Sequence, residues 1–170
     1  MNFLLLFFTI FSATLACDIG VIDSNIIFNN YKKKDTLEKK LENFKLLQEQ
    51  QLLKEKNTLL KIEEKILKKK QPTSKEKNNL AKLEKKLEEK TAESQKQIDI
   101  QQQEYLSELQ RDISIAALII GKEEDLDILL DRSALIYGGV DITNKVLESL
   151  NNPKTIPLDS TKYFEDNFIN

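Results

Sequence analysis

Two runs of helical periodicity, broken by a single proline, constrain this chain more than any other feature. In residues 35–70, Leu37, Leu41, Phe44, Leu47, Leu52, Leu59, Ile62 and Ile66 recur mostly at steps of three and four. That spacing places one narrow apolar stripe along one helix. At about 1.5 Å per residue such a helix is a rod of roughly 54 Å. The stretch "KKKQPTSKEK" ends it. Pro72 has no amide hydrogen and disfavours helix in the residue before it. Ser74 is the predicted cap of a second rod over about residues 75–121, which makes 71–74 a turn. The second stripe starts at Leu80, Leu83 and Leu87 and thins at Thr91, Ser94, Gln101 and Gln102 beside Ile98. It returns at Tyr105, Leu109, Ile113, Ala116, Ala117 and Ile120, and Gly121 reads as its stop. A short turn forces the rods to run antiparallel. The expected result is a helical hairpin over 32–121, loosely packed toward its tip and anchored in something larger near 105–120.

The segments flanking the hairpin read as strands. Ile19, Val21 and Ile22 form a short β-prone run, and Ser24 is the predicted cap of a helical turn carrying Ile26, Ile27 and Tyr31. On the far side, Leu126, Ile128 and Leu130 alternate with Asp127, Leu129 and Asp131. Arg132-Ser133 is a bend, and Ala134, Leu135, Ile136 and Tyr137 form a further apolar run ended by Gly138-Gly139. A short helix is expected over about 142–151, with Asp141 or Thr143 near its cap and Ile142, Val146, Leu147 and Leu150 facing inward. Residues 17–31 and 122–152 thus make a discontinuous β-body. Three short strands are marginal alone, and their edges invite pairing with other chains. Ile19, Val21, Ile22, Leu126, Ile128, Leu130, Leu135 and Tyr137 are the residues expected to build the body and join its copies.

The first residues, "MNFLLLFFTIFSATLAC", are almost all apolar over 3–15. That length is too short to span a bilayer and suits a signal peptide over 1–16, with Ala16 before the cleavage point. Cys17, the one cysteine, follows directly and is a candidate lipidation site, although Thr14 stands where the lipid-attachment pattern has Leu. Residues 153–170 form a tail beyond the last helix. In it Tyr163, Phe164 and Phe168 are candidates for docking in an apolar groove, or belong to a flexible end.

Charge is unevenly spread. Residues 32–90 hold nineteen lysines against eleven acidic residues, whereas 91–170 hold seven basic and fifteen acidic ones. With no histidine in the chain, acid–base work near neutral pH lacks its usual group. There is also no phosphate-binding glycine loop, metal-ligand spacing or nucleophile motif. The reading is therefore a non-enzyme with neither cofactor nor metal. For the lysine runs at 32–34 and 68–70, a nucleic-acid role would need cytoplasmic residence, which the expected signal contradicts, and no aromatics interleave with the lysines near the tip. An anionic membrane surface is a further candidate partner for them.

The order strand, long hairpin, two strands, terminal helix resembles the Skp/OmpH family of periplasmic chaperones. The matching residues are "IGVIDSNIIF", "LDILLDRSALIYGG" and "VDITNKVLESLN", over roughly 18–151. The resemblance implies an α+β, mainly α fold whose small β-body is completed by trimerisation. Three hairpins would project as tentacles around a cavity that holds unfolded outer-membrane proteins without ATP. On that reading Phe44, Leu47, Leu52, Leu53, Leu59, Leu60, Lys68, Lys69 and Lys70 are the candidate client-binding residues. The chain departs from the best-known members in its slightly acidic balance and in its tail. The alternative reading is a secreted or lipid-anchored coiled-coil spacer or adaptor.

Overall fold

The computed structural model describes residues 17–69 and 71–152. The expected signal peptide, Lys70 and the tail lie outside the described residues. In chain order the elements are β1 (Ile19–Ile22), α1 (Ser24–Asn30), α2 (Lys32–Leu67), α3 (Ser74–Glu123), β2 (Ile128–Asp131), a 3-10 turn (Arg132–Ala134), β3 (Val140–Asp141) and α4 (Thr143–Asn151). The fold is mainly helical with one small three-stranded sheet.

The hairpin forms where Pro72 and the two stripes require it. Pairs across it run in opposite directions: Lys69 meets Glu76 near the tip, Lys90 meets Glu55 midway, and Lys33 reaches Glu108 and Asp112 at the root. Its first rod starts at Lys32 and stops at Leu67, three residues short of the expected end. The second rod is capped by Thr73, not Ser74. The Thr73 hydroxyl accepts from the Glu76 amide while the Glu76 carboxylate accepts from the Thr73 amide, which closes a capping box. Gly121 does not end α3, which runs on to Glu123. A Cβ at Gly121 would lie 2.8 Å from Leu129 Cδ1, so the glycine lets β2 approach the helix closely.

The sheet has the order β2-β1-β3 and is parallel throughout. Ile19 pairs with Ile128 and Ile22 with Asp131 on one side, and Gly20 pairs with Val140 on the other. Parallel neighbours need a crossover between them, and the whole hairpin serves as the crossover from β1 to β2. Both neighbours of β1 come from its own chain. The partners expected from other subunits are therefore not needed by β1, and the open edges are those of β2 and β3.

Two strand assignments change. Leu126 precedes β2 and packs on the core without joining the ladder. The run Ala134–Tyr137 is not a strand; β3 is the two-residue pair Val140–Asp141. Leu135 and Tyr137 therefore sit in the connection between β2 and β3. Gly138 and Gly139 have φ of 94° and 84°, which turn the chain out of the extended conformation before it reaches β1.

Each strand ends at or beside an aspartate that accepts a backbone amide of the segment that follows. Asp23, and not Ser24, caps α1 by accepting from the Ile26 amide at 3.0 Å. Asp131 accepts from the Ser133 amide at 2.9 Å and from the Ser24 amide at 3.2 Å, and the bonds from Ser133 and Ser24 hold its carboxyl far below the usual carboxylate range. Asp141 accepts from the Thr143 amide, pairs with Arg132, and has its pKa lowered by both, the Thr143 bond first. Thr143 Oγ1 in turn accepts from the Asp23 amide at 2.9 Å. These bonds fasten three distant stretches of chain at one end of the sheet.

The core lies at the root. Ile27, Tyr31, Leu37, Leu109, Ile113, Ala116, Ala117, Ile120, Ile142, Val146 and Leu150 form one buried cluster joining α1, α4 and the near ends of the rods. The apolar return at 105–120 thus meets the larger body expected of it.

Candidate functional site

The hairpin beyond the root has almost no interior. Among the described residues from 38 to 108, the only buried one is Ser94, whose hydroxyl donates to Gln48 Oε1 at 3.0 Å. Around this pair, Leu41, Phe44, Leu52, Leu59, Ile62 and Ile66 of α2 are only half-buried against α3. An open groove of about 270 Å3 between the rods is lined by Leu59, Ile62, Leu83 and Leu87. Two helices cannot enclose a core, so the apolar seam residues beyond the root keep one side toward solvent.

The Ser94–Gln48 pair bridges the rods, and in this register several leucines of α2 face outward. Leu46, Leu53, Leu60 and Leu67 are 51%, 57%, 48% and 76% exposed. They are spaced by seven residues, so they drift only about 20° per step and hold one face. The row covers roughly 32 Å of helix at about 1.5 Å per residue. Leu47 broadens it, and Leu83, Ile100 and Leu106 add exposed apolar surface on α3. Lysines at 45, 54, 56, 61 and 65 are interspersed along the same helix. This row is a candidate contact surface.

The predicted client residues divide into two groups. Leu47, Leu53 and Leu60 are exposed. Phe44, Leu52 and Leu59 turn into the seam, where they are half-buried. Leu47 does not belong to the inward stripe expected from its spacing; Gln48 takes that position. Lys68 and Lys69 are exposed at the tip but engaged, Lys68 with Glu64 at 2.5 Å and Lys69 with Glu76. Lys70 lies outside the described residues. Leu46 and Leu67 complete the outward row beyond the residues expected in it; their seven-residue spacing to Leu53 and Leu60 is the signal that carries them.

Electrostatics at the two ends of the hairpin are built-in. At the tip, the Lys69 bond, with the Thr73 bonds, brings Glu76 down to about 2. At the root, Asp112 is buried and accepts from the Tyr31 hydroxyl at 2.9 Å and from Lys33 Nζ at 2.6 Å. Burial, then the Asp112 charge, push the Tyr31 hydroxyl well above its usual value. Burial opposes the Lys33 charge, but the bonds to Asp112 and Glu108 outweigh it and raise the ammonium pKa. Among the described residues no group of acidic, histidine or cysteine side chains could hold a metal ion. None of the described helices is long and apolar enough to cross a membrane. Cys17 is exposed at the start of the described chain.

Comparison with known proteins places this geometry in a family. The family model described as "Outer membrane protein (OmpH-like)" matches residues 18–150. Among solved structures, an OmpH-like protein from Caulobacter crescentus CB15, described as an outer membrane chaperone, aligns with a TM-score of 0.59 at 16% identity. The alignment covers 81% of this chain and 86% of that one. At that identity the likeness concerns the fold. No curated protein matches the chain. With the family model spanning the body and the entire hairpin, the chain belongs to the OmpH-like outer membrane protein family.

Proposed function

We propose that this protein is an ATP-independent periplasmic holdase that shelters unfolded outer-membrane proteins between its helical hairpins. The family carries the coarser reading, a chaperone. The observation that carries the finer one is the outward leucine row Leu46-Leu53-Leu60-Leu67 on a rod without an interior. A spacer coiled coil would bury its leucines, and here they face solvent beside lysines. Such a surface suits a client that is unfolded, apolar in part and net acidic. Phe44, Leu52 and Leu59 join it when the rods part, and the tip lysines contribute attraction to acidic clients or to an anionic membrane surface.

The active form we propose is a homotrimer, exported by the segment 1–16, with Cys17 at its mature start open to lipidation. In support of assembly, Ile136 and Tyr137 are essentially fully exposed, and Ile128 and Val140 on the open strands are about half exposed. Unpaired strand edges with apolar side chains favour association. The test is dilution of a urea-denatured outer-membrane barrel into the mature protein, followed by light scattering. Suppression at one trimer per client is expected. Scattering as strong as without the protein overturns the reading.

A further inference from the structure

We propose that the groove in the distal half of the hairpin is an entry site for a short extended segment of unfolded polypeptide, with apolar side chains at alternate positions and acidic residues beside them. This deepens the holdase reading and rests on it. The groove lies between the two rods of one hairpin, separate from the outward leucine row and from any space between hairpins.

The seam changes character along its length. Its α2 side carries Leu37, Leu41 and Phe44 toward the root and Leu59, Ile62 and Ile66 toward the tip. Between them stand Gln48 and Glu55, seven residues apart, which meet Ser94 and Lys90 across the seam. Polar groups at such positions keep paired helices in register at a cost in stability. The distal apolar stretch is therefore cut off from the root core by two polar layers, and the Lys69–Glu76 pair joins the rods at its far end. The rods can part over Leu59 and Ile62 and close again in the same register.

The groove already opens at that place. Leu59, Ile62, Leu83 and Leu87 line about 270 Å3 of it. Thr58 turns its hydroxyl back to the Lys54 carbonyl at 2.9 Å and adds little bulk. From Leu83 to Leu87 is one helical turn, about 6 Å. Alternate side chains of an extended segment lie about 6.6 Å apart on one face, so two of them match the floor. An acyl chain, which reaches about 15 Å through half the hydrocarbon core of a bilayer, overruns it. Side chains that fill the groove wedge the rods apart and bring the covered sides of Leu59 and Ile62 into the contact.

The rim selects for charge. Its ionisable groups are Lys54, Glu55, Lys86 and Lys90. Glu55 is engaged by Lys90, which leaves Lys54 and Lys86 without an ion-pair partner among the described residues. Of the acidic residues nearby, Glu63, Glu84 and Glu88 do not line the groove, and Glu89 pairs with Lys85 at 3.7 Å. Two free cations beside an apolar floor suit a carboxylate next to an apolar side chain.

The test places the photo-crosslinker benzoylphenylalanine at position 58, on the groove, or at position 46, on the outward row, of the mature protein. A urea-denatured outer-membrane barrel is then diluted into each, with phosphatidylglycerol vesicles present. Position 58 should yield client adducts that map to segments of alternating apolar residues with Asp or Glu beside them. Lys54→Glu, Lys86→Glu should lower the yield at 58 severalfold relative to that at 46, with helical circular dichroism unchanged. Lys54→Gln, Lys86→Gln should fall between the reversal and the wild type. Client adducts from 46 with none from 58, or a yield ratio indifferent to the charge changes, would overturn the groove and leave the holdase reading standing. Adducts from 58 with lipid or with a second copy in place of client would likewise overturn it. Client adducts from neither position would overturn both readings.

Discussion

At the scale of single residues, the root shows how polar groups are tolerated next to a small core. Asp112 is buried, yet two donors converge on it. Removing it strands the Tyr31 hydroxyl and the Lys33 ammonium, and Asp112→Ala should cost about 2–4 kcal/mol in urea unfolding. Its partners also make stability pH-dependent. Tyr31 and Lys33 both have raised pKa values in the folded state. The folded protein therefore holds protons that the unfolded chain gives up first. Their contribution is intact below about pH 10 and is lost as pH climbs through the folded values. Melting temperatures should fall above about pH 10, and fall less steeply in Tyr31→Phe. Ser149 is the opposite case. Its hydroxyl is buried and, among the described residues, has no hydrogen-bond partner. Ser149→Ala should raise stability by about 1 kcal/mol, seen as a higher Tm.

At the scale of elements, the tip cap offers a local measurement. Thr73→Ala removes one half of the capping box and should destabilise the start of α3 by about 1 kcal/mol, read as faster exchange of the amides at 75–77. Glu76 is lowered from 4.5 to about 2. Its contribution is present above 4.5 and disappears as pH falls toward 2. Acid should therefore open the tip before the root, and Glu76→Gln should remove that difference. The hairpin is legible in the sequence because Pro72 and a 3.6-residue period leave few alternatives. The outward row is legible only in part. Leu46 and Leu47 lie about 100° apart on a helix, yet both face solvent and Gln48 takes the seam position. Its bond to Ser94, between residues 46 apart, belongs to a register that local spacing does not reveal. Leu52-Leu53 and Leu59-Leu60 are sorted by the same register. The run "ALIY" misleads for a different reason. Its residues favour strand, but the positive φ of Gly138 and Gly139 and the need to re-enter parallel to β1 leave room for only Val140–Asp141. The caps shift by one residue because Asp23 and Thr73, each just ahead of the expected serine, carry side chains that cap equally well.

At the scale of the whole molecule, the body and the rods present two separate apolar surfaces, and the proposed function assigns one task to each. Ile136, Tyr137, Ile128 and Val140 cluster around the open strands, whereas the leucine row runs along α2 away from the body. Side chains that are exposed in the single chain can be changed without removing core, so the two tasks can be separated. Ile136→Lys, Tyr137→Lys should leave the circular dichroism of the single chain unchanged and convert the assembly to monomer by light scattering. Changing Leu46, Leu53, Leu60 and Leu67 to Gln should do the reverse. Each leucine covered by a client contributes on the order of 1 kcal/mol, so losing four weakens capture by on the order of a thousandfold. That variant should keep the wild-type mass and lose suppression of barrel aggregation. A loop variant that stays assembled would show that the open strands are not the interface. A leucine variant that still protects its client would move capture off the outward face of α2 and onto the seam, where Phe44, Leu52 and Leu59 become available only if the rods separate.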